Sequence, residues 1–263
     1  MKKFRLLREP IDIISVFAIV LVLTLQTTAL TMGWPWYTFL LIVALIRLVN
    51  LVEHNLSHKR IFYQSYLNEL LGWMCYLSNG VPLEFYEMHH VKNHHKFNQL
   101  YNEKVQDWSS LYGFRGTNYP DKPINKTYYV LTFPLMAICH CLLEIVRNPG
   151  SKMFWRFIRS SITIVVSSAI LISINPIGFL FFFIIPWGIV AFALGSNNYN
   201  HHIGCKMTND FDSSNSDLRF LNRLPGFNIG YHVSHHIKPS LHWSRLPEYH
   251  AGIREKIPTE NLK

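Results

Sequence analysis

The stretch HHVKNHH, residues 89–95, places four histidines in seven positions. Three further groups stand elsewhere in the chain: HNLSH (His54, His58), NYNHHIG (His201, His202) and HVSHH (His232, His235, His236). On a helix, residues three or four apart share a face, so each pair can turn two imidazoles toward one centre. Neutral imidazole is a good ligand for first-row transition metals such as iron, copper and zinc. Of the fourteen histidines, eleven stand in these groups, and counting one of His89/His90 and one of His201/His202 gives nine, more than one metal can take and enough for two. A structural zinc site usually recruits cysteine, whereas Cys75, Cys139, Cys141 and Cys205 stand apart from the histidines and show no CxxC pairing. The chemistry indicated is that of a two-metal, all-imidazole centre.

The elements that must position these groups are apolar. The 263 residues are 49% hydrophobic and 16% charged, and the apolar residues fall in blocks. Residues 11–31 carry one charge, Asp12, at their start, and 35–53 form a second run; about 20 such residues span a bilayer core as a helix. The first run is too long for a signal-peptide core and lacks a small-residue cleavage site, so it is expected to be a retained anchor. A short turn through Gly33 and Trp34 joins the two into a hairpin, with Trp34, Trp36 and Tyr37 suited to the far interface. The long run 161–195 is broken at Asn175-Pro176, because proline removes a donor and clashes with the preceding turn; it is expected to form a second hairpin, with spans near 160–175 and 177–195.

The net charge of +9 would raise nucleic acid in a soluble protein. Here Lys2, Lys3, Arg5 and Arg8 precede the first span, and Lys59 and Arg60 follow the second. That pattern places both flanks in the cytoplasm. Residues 127–146 are apolar but contain Pro134, His140 and Glu144 and are followed by Arg147, Lys152, Arg156 and Arg159. A crossing there would strand those cations outside and separate the histidine groups. An interfacial helix keeps every group on one side. The expectation is a single all-α membrane domain over 1–263, with four transmembrane helices in two hairpins, a cytosolic cap of histidine boxes and a loose tail after Pro258. A transporter would need polar groups at mid-depth in its spans, and these offer few.

The boxes HNLSHK, HHVKNHH and GYHVSHHIKPSLHWSRLP, set between paired spans, resemble those of the integral-membrane fatty acid desaturase superfamily, which includes acyl desaturases, alkane hydroxylases and carotenoid ketolases. NYNHHIG is similar to an extra histidine segment of the alkane hydroxylase branch. The resemblance covers roughly residues 35–250. It implies a di-iron centre (Fe2+/Fe3+) that activates O2 as co-substrate and oxidises a lipid. The expected reaction is desaturation of an acyl chain. The alternatives are hydroxylation, ketolation or oxidative decarboxylation of a chain, an alkane or a carotenoid.

Carried over position by position, the resemblance implies as metal ligands His54, His58, His90, His94, His95, His202, His232, His235 and His236. His89 could replace His90, and His201 could replace His202. His90 is preferred for its i, i+4 relation to His94, and His202 for its spacing to Asn198-Tyr199 and Gly204. No catalytic group is expected beyond the metal ligands. Glu53, Glu84, Glu87 and Asp107 lie near the first two boxes and could hold ring N–H groups, while His140, His242 and His250 are expected to be non-ligands. No Rossmann, haem or cytochrome motif is present. Electrons are therefore expected in trans from a ferredoxin, rubredoxin or cytochrome b5 type of donor, received on cytosolic Lys and Arg. GFLFFFIIPWGIVAFALG and the first spans would line an apolar path to the metals.

Overall fold

A computed structural model of the chain describes residues 5–33, 35–100, 106–112 and 123–263. Trp34, Lys2 and Lys3, assigned above to interface and flank, lie outside the described residues. All regular structure among the described residues is helical. Five helical stretches are long and apolar enough to cross a membrane: Pro10–Met32, Tyr37–His58, Lys126–Arg147, Lys152–Ile174 and Pro176–His202. That is one more than the four crossings expected, the extra one being the segment expected to lie in the interface. The chain divides into two compact units, Met1–Tyr86 with Ile145–Ala191, and Glu87–Glu144 with Phe192–Lys263.

The first unit holds α1 (Ile13–Met32), α2 (Tyr37–His58), α3 (Ser65–Asn79) and the single turn α4 (Leu83–Phe85). Gly33 ends α1 in the left-handed region at φ 61°, the usual glycine device for a helix C-terminus. Later in the chain this unit also contains α7 (Lys152–Ile174), α8 (Pro176–Phe179) and a π-helical segment, Leu180–Ile184. Asn175 makes the expected break. Its Oδ1 accepts from Gly178 N at 2.8 Å to cap α8, and its Nδ2 donates to Leu30 O, one of the last carbonyls of α1, at 3.0 Å.

One buried amide ties this unit together. Gln26, fully buried on α1, donates from Nε2 to Ser78 O and to Phe182 O, both at 2.9 Å, and accepts from Ser78 Oγ at 2.6 Å. Helix C-termini and π segments leave carbonyls without intrahelical partners, and lipid offers none. Gln26 supplies both. Trp187 Nε1 adds a second donor to Ser78 O at 3.0 Å, and its ring lies where a Cβ at Gly80 would come within 2.5 Å. Around this polar knot packs an apolar core of Ala29, Leu30, Ile42, Leu171, Phe179, Phe182 and Phe183.

The second unit holds most of a π-helix, Tyr86–His94, then the turn α5 (His95–Phe97) and α6 (Lys126–Arg147). It also holds the C-terminal part of α9 (Ile185–His202), then α10 (His232–Ile237) and α11 (Leu246–Ile253). Its core includes Leu111, Tyr129 and Phe133. Tyr129 of α6 donates to Ser109 O at 3.0 Å and accepts from Asn198 Nδ2 of α9 at 2.6 Å. The tail after Pro258, expected to be loose, is instead held as a short paired strip. Ser216 N donates to Asn261 O and Lys263 N to Ser216 O, each at 2.8 Å. The buried Asn261 amide reaches Ser214 O at 3.0 Å, while Ile257 and Leu262 pack with Val233 and Ile253.

Replacing Gln26 by Leu removes the side-chain donor to Phe182 O and the acceptor of the Ser78 hydroxyl, while Ser78 O keeps Trp187 Nε1. We expect a loss of about 1–3 kcal/mol in denaturant or SDS unfolding of the purified protein in bicelles, with helix content by circular dichroism unchanged in the native state.

Candidate metal centre

In the first unit, His54 and His58 sit one turn apart in the last two turns of α2, with ring centroids 5.1 Å apart. The helix runs past the apolar stretch to His58 itself, so the box is part of the span's own end. Glu53, considered above as a partner for ring N–H groups, is fully buried and accepts instead from Asn79 Nδ2 at 2.6 Å. Glu84 accepts from Ser160 Oγ at 3.1 Å and pairs with Arg156 at 3.6 Å.

The second unit gathers the other boxes. His94, His202, His232 and His236 each offer a ring nitrogen, all within 4.8 Å of one another. Beside them His95 Nε2 lies 3.0 Å from both His90 Nε2 and His235 Nε2. The π-helix explains this division. With hydrogen bonds closing at i, i+5, His90 comes opposite His95, their rings 4.5 Å apart, and His94 turns toward His202 and His236, with centroids 4.8 and 5.0 Å away. The i, i+4 relation that favoured His90 does not pair it with His94 in one group. On α10, His232 and His236 meet Nε2 to Nε2 at 3.1 Å, while His235 between them faces His95.

Two of these rings are oriented by fixed acceptors. His94 Nδ1 lies 2.9 Å from Asp107 Oδ2, both groups being buried. A carboxylate only accepts, so Nδ1 carries the proton and Nε2 the lone pair. His202 Nδ1 lies 3.0 Å from Ser213 O, a carbonyl, with the same consequence. His94 Nε2 and His202 Nε2 are buried and have no hydrogen-bond partner among the described residues. Two orphaned ring nitrogens converging in a set of four imidazoles fit a first-row transition metal.

Asp107 is held in turn by a dense set of donors. Gln99 N reaches Oδ2 at 2.6 Å, and Ser109 N and Oγ reach Oδ1 at 2.8 and 2.6 Å. Left-handed Asn98 and Gln99, at φ 45° and 69°, turn the chain so that Gln99 N points back at the carboxylate. Burial opposes ionisation of Asp107, but the adjacent His94 and these donors outweigh it and hold the carboxyl well below the usual range. Burial, reinforced by neighbouring imidazoles, pushes His232 and His236 well below the ordinary histidine value, so both are neutral near pH 7, as ligands must be.

His89 lies in contact with Phe133 and Trp108, ring centroids 5.4 and 6.1 Å away, and burial lowers it to about 4. His201 stacks on His232 at 3.9 Å, its Nδ1 near Asn215 O. Neither belongs to the four-histidine group. Among the expected non-ligands, His140 stacks on Trp108 at 5.1 Å and His242 bonds Ser244. His250 is more than a bystander: its Nδ1 lies 3.0 Å from Ser234 Oγ, in the middle of the box helix α10. Ser109, Ser213, Ser234 and Asn261 carry no spacing signal in the sequence. Of the supporting groups only Asp107, in QDWSS, was legible beforehand.

The fold and site define a class: a helical, membrane-adapted protein with a cluster of imidazoles able to hold a transition metal. The family follows from comparison, since the fatty acid desaturase family model matches residues 32–263, and the chain belongs to that family. No curated protein matches the chain. Membership implies an oxidoreductase that works on lipid in a membrane.

Asp107→Asn keeps the shape but places an amide N–H₂ against donors that need an acceptor. We expect metal affinity to fall roughly 10–100-fold, measured by titrating the metal-free protein with Co2+ and following its visible absorption, while thermal unfolding of the metal-free form stays close to that of the parent.

Proposed function

We propose that the protein is an oxygen-dependent acyl-lipid desaturase that introduces a C=C bond at a di-iron centre. The observation that carries the reading is the His94–His202–His232–His236 group with its two oriented, unpartnered nitrogens. Those four would hold one iron; the other ligands that the family resemblance implies are His54, His58, His90, His95 and His235. Bound iron supplies the power, with O2, to break an unactivated C–H bond, which no side chain here can do. The chain's residues fix ring tautomers through Asp107 and Ser213, and burial keeps His232 and His236 neutral and excludes water. Electrons would arrive from a ferredoxin, rubredoxin or cytochrome b5 type of protein, because the sequence contains no redox motif of its own.

We further propose four crossings with the histidines on the cytoplasmic face, and α6 lying in the interface. Parity supports this. His94 precedes and His202 follows the three apolar helices Lys126–Arg147, Lys152–Ile174 and Pro176–His202, yet their nitrogens lie in one 4.8 Å group. An even number of crossings between them would account for this, and α6 is the stretch with Pro134, His140 and Glu144 and a basic C-terminal flank. Cysteines introduced at Lys126 and Asn148, the two ends of α6, are expected to label from the same side of sealed vesicles; opposite sides would sink the four-span topology.

Expression with a matching reductase system, followed by mass spectrometry of cellular lipids, is expected to show products lighter by two hydrogens. Gain of one oxygen would replace desaturation by hydroxylation, the reading that NYNHHIG favours. His94→Ala and His235→Ala should abolish the product while the protein still inserts, since span length is untouched; misplacement of a reacting centre by about 1 Å costs on the order of a hundredfold. Active material should contain two irons per chain by elemental analysis, and a single metal at full turnover would rule out the di-iron reading.

A further inference from the structure

Large exposed apolar side chains lie mostly on the helices, where lipid covers them. Away from the helices they are scattered among the described residues, with one exception. Phe220, Leu221 and Leu224 are 73%, 62% and 59% exposed within five positions of each other, on two consecutive 3-10 turns, Phe220–Asn222 and Leu224–Gly226. The loop that displays them is rigid. Asp217 N donates to Gly230 O, and Gly230 N to Asn222 O, each at 2.9 Å. A Cβ at Gly230 would lie 2.0 Å from Asp217 O, so only glycine lets the base close this tightly. Beneath the tip, left-handed Phe227 is buried against Trp243 at 5.1 Å, and Asn228 Nδ2 bonds Trp243 O at 3.1 Å. The three apolar side chains are therefore held outward by a built scaffold rather than left out by a floppy one.

Two arginines flank them. Arg219 is braced on Asp217 through Nε at 2.8 and 3.0 Å. Exposed Arg223 uses Nε on Leu218 O at 2.6 Å, which fixes the direction of its guanidinium and leaves the terminal nitrogens to an outside acceptor. Guanidinium matches phosphate in charge and geometry, and apolar side chains below a cationic rim suit the boundary between headgroups and acyl chains. We propose that the loop 217–230 is a membrane-interface finger, with Phe220, Leu221 and Leu224 seated among lipid and Arg223 on anionic phosphates. A soluble electron donor is the weaker occupant: it must leave after each delivery and would return three large apolar groups to water, whereas the bilayer covers them continuously. The inference does not depend on the reaction catalysed.

The test uses the full chain in nanodiscs of phosphatidylcholine and phosphatidylglycerol. The exposed Cys139 is replaced by Ser, the remaining cysteines being buried, and an environment-sensitive nitrobenzoxadiazole dye is attached at Leu221→Cys, at Leu224→Cys, or at the exposed polar control Asp210→Cys. We expect blue-shifted emission at both finger positions, at least twofold quenching by lipids spin-labelled near the glycerol, and little quenching by iodide, with the reverse at Asp210. Arg223→Glu should weaken the lipid quenching at 221. Iodide quenching at both finger positions equal to the control, shielding from both quenchers (contact with a second copy), or a blue shift that appears only when a soluble reduced redox protein is added would each overturn the proposal.

Discussion

The hydrogen bond between His94 Nδ1 and Asp107 is the constraint around which the second unit is arranged. An imidazole serves as a ligand only when one nitrogen is held and the other is bare. A free ring could choose either tautomer and several rotamers, so the choice has to be made by something that cannot donate. Asp107 makes it for His94 and the carbonyl of Ser213 makes it for His202. Each acceptor then needs its own support, because a buried carboxylate without donors would take up a proton instead. The left-handed turn at Asn98–Gln99 and the Ser109 hydroxyl support Asp107, Tyr129 and Asn198 hold Ser109 through its carbonyl, and the paired tail holds residues 214–216 next to Ser213.

The π-helix makes the same economy with backbone. An ordinary helix could turn only part of HHVKNHH to one side, since adjacent residues diverge by about 100°. Widening the turn lets His90 and His95 share one side while His94 serves another. One stretch of chain thus feeds two neighbouring groups. Buried Asn93 ties the 106–108 loop to this helix by bonds to Gln106 O and Trp108 N at 2.9 and 2.8 Å.

Much of this was legible in the sequence, because metal ligation and lipid solubility both leave periodic or compositional marks. The box spacings, the first hairpin and the break at Asn175-Pro176 are of that kind. The register within the second box was not: the i, i+4 rule presumes an α-helix, and nothing local in YEMHHVKNH announces a π turn. The helical extent of 126–147 was legible, but its relation to the bilayer depends on parity over the whole chain. Ser213, Asn261 and the tail escaped notice for another reason. Ser213 acts through its main-chain carbonyl, which any residue type possesses, and Asn261 through one side-chain amide that no spacing reveals. The support for a site is written in tertiary contacts, while its ligands are written in side-chain identity.

The paired tail also fixes an order of events in the life of the chain. The candidate ligands of this group stand at positions 94 to 236, and the strip that holds the segment carrying Ser213 comes from Asn261 to Lys263. Synthesis runs from the N-terminus, so the early histidines emerge long before the brace for His202 exists. Until then the half-made cluster is a set of loose imidazoles, which would favour whichever divalent ion binds imidazole most strongly, zinc or copper over iron. The strip can pair only after every histidine of this group has been made, so the orientation of His202 is completed later than the cluster it belongs to.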